Sequence, residues 1–589
     1  MSTVQDLTYH APAWRAFTCG RGAVLVQTAE AVVEMRSKIA DVLRLCRGAR
    51  TLEEHEQCVV TAGVFGAGGD IRGVLRALVE AGLLVPTSDW RRAEVRPHVW
   101  PPRRDITTVA FPTADRSQYL LRCLKSVVEH CGLWGSKPRL LVVDGSRNPE
   151  HAAQTRAALS LIAKANGHRF EYVGQNEARA LQVGLAGAAG NFTSRTLCAG
   201  TVGANRNLIT LLTAGEHVLM VDDDVILKPW TLADAVDAVS LMGHGDFSEL
   251  SFYPSRHSAL SSVNYVNADL LGAHSRLLGQ QLTTIVATGA GPPSLTHACQ
   301  HLIASEGAGD AWTVRVTFSG IAGDSGAACP EKLLVSSDHV TQALLKSELT
   351  YRTAMESREV VRGTRSHVVA HEGVCMGYCT GFANAAVLPP FVHVGRNEDG
   401  MFGAMMTATD PQALVGHVPI GVVHDSPRRS RFTRPRMPSA RFVSLAELII
   451  CLVKACGCST VASQPSVRLE RLASFLMDTG RLCRSDFADL VRSLVLDLRA
   501  HELTRIEHLL SLHPEYPDYW RRDLEEYSRT MRHCMMTSDY CRPIGFEVQE
   551  LSDDPWASAQ QVVLEFGQLT AIWPALWHCK AAGSGAVAV

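Results

Sequence analysis

The chain has 589 residues, too many for one ordinary hydrophobic core, so about two to four domains are expected. Hydrophobic residues at 46% against charged residues at 20% exclude a disordered chain, and a net charge of -2 provides no global field to attract nucleic acid or an anionic membrane. The 17 cysteines have no disulfide or zinc spacing: Cys375/Cys379 and Cys456/Cys458 lie close together but no second pair follows either, which reads as buried thiols in a reducing cytoplasm.

Residues 1–88 form the first piece. The opening MSTVQDLTYHAPAWR lacks a basic region followed by an apolar run, so it does not read as a secretory signal. GAVLVQTAEAVVEM alternates and predicts a strand or hairpin. SKIADVLRLCRG carries Ile39, Val42, Leu43 and Cys46 at helical spacing and stops at Gly48. Thr51 with Glu54 has the capping-box pattern, and DIRGVLRALVEAGLLV repeats an amphipathic helix that Gly82 ends. A small β-plus-three-helix module is expected, followed by a Pro- and Arg-rich linker at 89–104.

Residues 105–436 alternate strands and helices. ITTVAFPT, RLLVVDGS, FEYVG and HVLMVDDDVIL read as buried strands, while YLLRCLKSVVEHC and GANRNLITLLTAG read as helices. That alternation predicts an α/β, mostly parallel, doubly wound sheet, with ligands at the carboxyl ends of its strands. Asp115, Asp144 and Asp222–Asp224 all fall at such ends. Residues 437–589 read as helical and carry no chemical motif. The most apolar stretch, Phe442–Val461, contains Glu447 and Lys454 and is broken by Gly457, which suits a buried helix rather than a membrane span.

The chemistry concentrates at HVLMVDDDVILKPW. A buried strand that emerges into three carboxylates is costly unless a cation neutralises them. Alternation along an extended chain would point Asp222 and Asp224 to the same side, and oxygen ligands suit Mg²⁺ or Mn²⁺ shared with a substrate phosphate. The plain alternative is a charged turn that binds nothing. In GANRNL, Gly203 permits close backbone approach and Arg206 can meet a phosphate or carboxylate; a surface salt bridge is the alternative for Arg206. Glu398 and Asp399 open a helix, and VGHVPIGVVHDSP ends a strand at His424. Five arginines follow, at 428, 429, 431, 434 and 436, able to meet an anion or to form a basic linker. His274 and Asp324 read as structural.

This ordered set resembles family 2 glycosyltransferases of the GT-A fold. The matches are Pro112, Thr113 and Arg116; Asp144, Gly145 and Ser146; Gly203, Arg206 and Asn207; Asp222, Asp223 and Asp224; Glu398 and Asp399; and His424. The resemblance implies a donor site for a nucleotide-diphosphate sugar, expected to be a UDP-sugar. Pro112, Thr113, Arg116 and Asp144 would hold the nucleoside, Gly203 and Arg206 would support the donor, and Asp222 and Asp223 would contact ribose or sugar. Asp224 and His424 would ligate Mn²⁺ or Mg²⁺, and Asp399 would be the general base of an inverting displacement. The gap from the aspartates to Glu398 is longer than a compact member needs, which leaves the acceptor class open.

The first piece, ending LRALVEAGLLV, resembles the PqqD-like fold, a small winged-helix domain that recognises leader peptides; a structural cap on the next domain is the alternative. The two together resemble the layout of mycofactocin-system glycosyltransferases. That implies a peptide or peptide-derived natural-product acceptor. A polysaccharide or small-molecule acceptor, or a non-catalytic sugar-nucleotide-binding protein, are the competing readings.

Overall fold

A computed structural model describes residues 8–11, 15–18, 23–27, 32–46, 50–61, 64–65, 69–86, 93–95, 104–189, 195–198, 200–242, 248–287, 312–327, 329–336, 338–370, 377–427, 431–432, 442–457, 464–537, 540–544 and 554–583. Arg428, Arg429, Arg434, Arg436, Cys375 and Cys458 lie outside the described residues.

The N-terminal segment forms two small antiparallel sheets and three helices, Ser37–Leu45, Leu52–Thr61 and Ile71–Glu80. Its own apolar cluster gathers Val26, Leu43, Val59, Leu75 and Leu84. The capping box forms as its spacing predicts: the Thr51 N–H donates to Glu54 Oε2 at 2.8 Å, and the Glu54 N–H to Thr51 Oγ1 at 3.2 Å. Gly82 follows the third helix at φ 68, a left-handed conformation that favours glycine.

The central sheet is built from β1 (Thr108–Thr113), β2 (Arg139–Asp144), β3 (Phe170–Val173), β4 (His217–Val221), β5 (Val225–Thr231), β6 (Val239–Met242), β7 (Thr313–Asp324), β8 (Glu359–Gly363), β9 (His367–Ala370), β10 (Cys379–Ala383) and β11 (Ala413–His424). Its main order is β3-β2-β1-β4-β10-β7-β11-β9-β6, with Ala93–Val95 at the edge. The α/β sheet is thus as the alternation predicts. The strands β3, β2, β1 and β4 run parallel. Beyond them β10 is antiparallel to both β4 and β7, while β7 and β11 are again parallel. The edge strand Ala93–Val95 falls inside the stretch expected as a linker, and pairs antiparallel with β6. Three residues are too short for periodicity to reveal.

Three helices matter for the site: α1 (Ser117–Trp134), α2 (Val202–Leu212) and α3 (Glu398–Thr409). The middles of β1, β2 and β4 are apolar because both faces are covered: Val109, Phe111, Leu140 and Val142 pack with α1, while Ala110, Leu141 and Met220 face the α2 side. The C-terminal helices complete that second face. Leu448, Leu472, Phe487 and Trp573 belong to the same apolar cluster as Leu208 and Phe402. Among the C-terminal helices, Arg484–Leu512 is one continuous helix. No helix among the described residues is long and apolar enough to cross a membrane.

Candidate active site

The site begins with a proline. β1 pairs with β4 only over Thr108–Ala110, so Pro112 lies past the last of those pairings, where its missing N–H costs nothing on that side. The chain then turns through Asp115 at φ 53, a conformation aspartate tolerates. The Asp115 N–H donates to Ser146 Oγ at 2.7 Å, and its carboxylate accepts the Asn148 N–H at 2.9 Å. The first two motif turns are therefore laced together. A third joins them: a Cβ on Gly145 would stand 2.5 Å from the Gly200 carbonyl oxygen, and Asn205 Nδ2 donates to the Thr113 carbonyl at 2.9 Å.

Asp144 is 2% exposed. Its oxygens accept from the Ser146 N–H at 2.8 Å and the Tyr172 hydroxyl at 2.9 Å. It shapes the turn that ends β2. Tyr172 is a partner that sequence spacing did not single out.

The three acids do not lie in a strand. β4 ends at Val221, Asp222–Asp224 form a turn closed by the Val225 N–H on the Asp222 carbonyl at 3.1 Å, and β5 begins at Val225. This corrects the expectation that Asp222 and Asp224 share a side, because period-two alternation applies only to extended chain. Asp223 and Asp224 instead share Arg116, whose Nη1 lies 2.9 Å from Asp223 Oδ1 and 3.1 Å from Asp224 Oδ2. Thr113 Oγ1 donates to the other Asp223 oxygen at 2.7 Å. Thr113 and Arg116, expected at the nucleoside, thus grip the acids, and each Asp223 oxygen accepts a bond from within the protein.

Asp222 pairs with a different arginine. Arg206 Nη2 donates to its Oδ1 at 2.6 Å, Arg206 Nε reaches Glu398 Oε1 at 3.3 Å, and Nη2 also meets the Gly377 carbonyl at 3.1 Å. Arg206 is 1% exposed, so it braces acids rather than opening to a phosphate. Gly203 likewise serves packing: a Cβ there would meet the Val392 carbonyl oxygen at 1.9 Å. Asp399, in the first turn of α3, accepts the Gly377 N–H at 2.8 Å and the Gly400 N–H at 2.9 Å. Gly377 thereby links Asp399 to Arg206 and Asp222.

His424 arrives through sheet register. Val225 stands opposite His424, and the Asp425 N–H donates to the Asp224 carbonyl at 2.8 Å. This brings His424 Nε2 to 3.2 Å from Asp224 Oδ1, although 200 residues separate them in sequence. The His424 Nδ1–H donates to the Asp324 carbonyl at 2.6 Å, and the ring stacks on Tyr378 at 6.1 Å.

Electrostatics divide the turn. Burial, with neighbouring acids, pushes Asp222 and Asp223 up to about 6 despite Arg206 and Arg116. Burial also pushes Asp224 up, but the His424 hydrogen bond and charge, with Arg116, outweigh it and hold Asp224 at about 2. Burial lowers His424, and Asp224 reverses this to raise it to about 9. Glu398 is raised by burial, against Arg206.

Asp224 and His424 fit a divalent cation in donor chemistry. An imidazole whose Nδ1–H is committed to a carbonyl presents, when neutral, the Nε2 lone pair towards the carboxylate. No cluster of three or more His, Cys, Asp or Glu with metal-holding geometry occurs among the described residues. His274, read as structural, is buried between Thr317 Oγ1 and Ser319 Oγ, each at 2.8 Å. Asp324 is closer to the chemistry than its sequence context revealed.

No protein-family model and no curated protein sequence matches the chain. Among solved structures it is similar to S. aureus TarS 1–349, at 12% identity over 73% of this chain and 88% of that one, with a TM-score of 0.25. It is also similar to mannosyltransferase PcManGT from Pyrobaculum calidifontis in complex with GDP-Man and Mn²⁺, at 12% identity over 85% and 99%, with a TM-score of 0.27. At that overlap the likeness says nothing of chemistry, which rests on the geometry above.

Proposed function

We propose that this chain is an inverting, metal-dependent glycosyltransferase that moves a sugar from a nucleotide-diphosphate sugar, a UDP-sugar in the first instance, to an acceptor. The observation that carries the reading is the meeting of Asp224 with the Nε2 face of His424, beside an acidic turn at the carboxyl end of a parallel strand. Asp224 and His424 would hold Mn²⁺ or Mg²⁺; bound there, such an ion neutralises a departing diphosphate. Asp222, the carboxylate with a 29% exposed side chain, is the one open to the donor's ribose or sugar. Asp223 keeps Arg116 and Thr113 in place, and the turn at Pro112 and Asp144 receives the nucleoside.

Asp399 is the general base. Two backbone N–H groups fix its carboxylate, and each oxygen retains a lone pair for the acceptor's proton. The acceptor oxygen bonds to the anomeric carbon from one face as the bond to the diphosphate oxygen breaks on the other. The acceptor's proton passes to Asp399, and the bonding pair leaves with the nucleoside diphosphate.

The donor reading is tested by incubating the full chain with Mn²⁺ or Mg²⁺ and a panel of nucleotide sugars, and measuring nucleoside diphosphate release. Absence of release and of binding for every donor would remove it. The acceptor is proposed to be a peptide or peptide-derived natural product, with residues 1–88 as its docking module, 105–436 as the transferase domain, 437–589 as a helical scaffold, and the cytoplasm as the setting. The separate apolar cluster of the first segment supports an independent module. Removing residues 1–88 is expected to weaken peptide-acceptor binding about 10-fold or more in calorimetry while donor binding holds; about 1.4 kcal/mol corresponds to that factor. Equal acceptor affinity would leave the module a structural cap.

A further inference from the structure

The residue that aims His424 lies 100 positions before it in the chain. Asp324 ends β7, beside the end of β11, and its main chain and side chain do different jobs. The carbonyl accepts the His424 Nδ1–H at 2.6 Å. The carboxylate is held on every side: Arg358 Nη2 at 2.8 Å and the Gly326 N–H at 2.7 Å reach Oδ1, while Arg358 Nε at 3.2 Å and Ser426 Oγ at 2.8 Å reach Oδ2. Four donors occupy the four lone-pair positions a carboxylate offers. Ser426 stands two residues past His424, so Asp324 grips the imidazole with its carbonyl and the chain just beyond it with its carboxylate.

The surroundings leave this group little room to move. Asp324 is 2%, Arg358 8% and Ser426 6% exposed. Gly323, immediately before, sits at φ 125, and a Cβ there would stand 2.3 Å from the His424 carbonyl oxygen. Only glycine lets the two strand ends come this close. The peptide that presents the Asp324 carbonyl is therefore fixed from both directions.

We infer that Asp324, Arg358 and Ser426 are positioning residues that lock the His424 ring and its tautomer, so that Nε2 faces Asp224 as a metal donor. The inference rests on the proposed metal role of Asp224 and His424. Partners that orient a ligating histidine typically change metal affinity by about 10- to 100-fold when removed.

The probe is Mn²⁺ alone, added to the full chain without any nucleotide sugar. Affinity is read by titration calorimetry, and histidine ligation by the ¹⁴N coupling to bound Mn²⁺ in pulsed electron paramagnetic resonance. The wild type is expected to bind Mn²⁺ with an imidazole coupling that His424→Ala abolishes. Ser426→Ala and Asp324→Asn are expected to bind at least about 10-fold more weakly, with the coupling reduced or altered. Ser426→Thr keeps the hydroxyl and is expected to restore wild-type affinity. Ser426→Ala deletes one hydroxyl and decides the matter if Asp324→Asn does not fold. A purely structural role would lower the melting temperature and leave the coupling of the folded protein unchanged. Wild-type affinity and coupling in Ser426→Ala, and in Asp324→Asn where it folds, would overturn the positioning role while the metal site stands. Absence of Mn²⁺ binding, or of nitrogen coupling, in the wild type would instead overturn the metal site and this inference with it.

Discussion

Two buried sets of aspartate stand at strand ends in the same sheet and are treated in opposite ways. Asp324 has every oxygen engaged; burial alone would raise it, yet Arg358, the Gly326 N–H and Ser426 hold it below the ordinary carboxylate range. At the acidic turn, Asp222, Asp223, Asp224 and Glu398 share Arg116, Arg206 and His424. There burial wins at Asp222 and Asp223. The first set is closed and fixes the strand end that presents His424. The second is left short of positive charge, which fits the cation and anionic donor proposed for it.

The largest expected effect lies on the second set. Asp224→Ala is predicted to lower kcat about 10²- to 10³-fold, the range typical of removing one electrostatic stabiliser of a leaving group, with the overall fold intact by circular dichroism. Wild-type turnover by Asp224→Ala would end the functional reading of the turn. The reverse pattern is predicted for the first set. Arg358→Met leaves Asp324 charged and unpaired in the interior, and urea unfolding should show a loss of about 3–5 kcal/mol. A loss under about 1 kcal/mol would show that the pair is no brace.

A pH series separates these acids from another buried group. Burial pushes His274 and His367 down to about 3 from an ordinary 6.5, so the unfolded chain takes up their protons first. Stability is thus complete above about 6.5 and falls as pH drops from there towards 3. The contribution of Asp324, held below its ordinary 3.8, persists above that value and is lost only as pH falls past it. Between pH 7 and 5 the histidine contribution therefore declines, while protonation of Asp222 and Asp223, raised to about 6, opposes it, and in thermal melts His274→Gln should shift the slope towards greater stability at the lower pH. An unchanged slope would remove His274 from the account. The smallest effect is expected of Asp222→Asn. Its stability should stay within about 1 kcal/mol of wild type, because Arg206 keeps Glu398 and the Gly377 carbonyl. A loss as large as that of Arg358→Met would make the acidic turn structural too.

Sequence reading reached the parallel half of the sheet and the order of its motif turns because those strands are continuous apolar runs with local punctuation. It also placed Asp224 and His424 in one site. It missed what depends on contacts between distant segments. The run from His217 to Leu227 reads as one strand, whereas the turn at Asp222 reorients three carboxylates. Arg206 looks like a ligand until Asp222, Glu398 and Gly377 close around it. Asp324 carries no local signal, since its use comes from the register of β7 beside β11. The long spacing from the aspartates to Glu398 had the same origin: β6 to β10 must be threaded into the sheet before α3 can begin.

β11 has a consequence for how such a protein can change over generations. It pairs with β5, β7 and β9 at once, and its last residue is His424. A single inserted residue between Gly421 and His424 would send His424 to the opposite face and break its registers with β5 and β7 together. Variation in length is therefore tolerable only outside this strand, in the connections that precede it. The chain can lengthen or exchange those segments while the histidine is delivered to the same point each time.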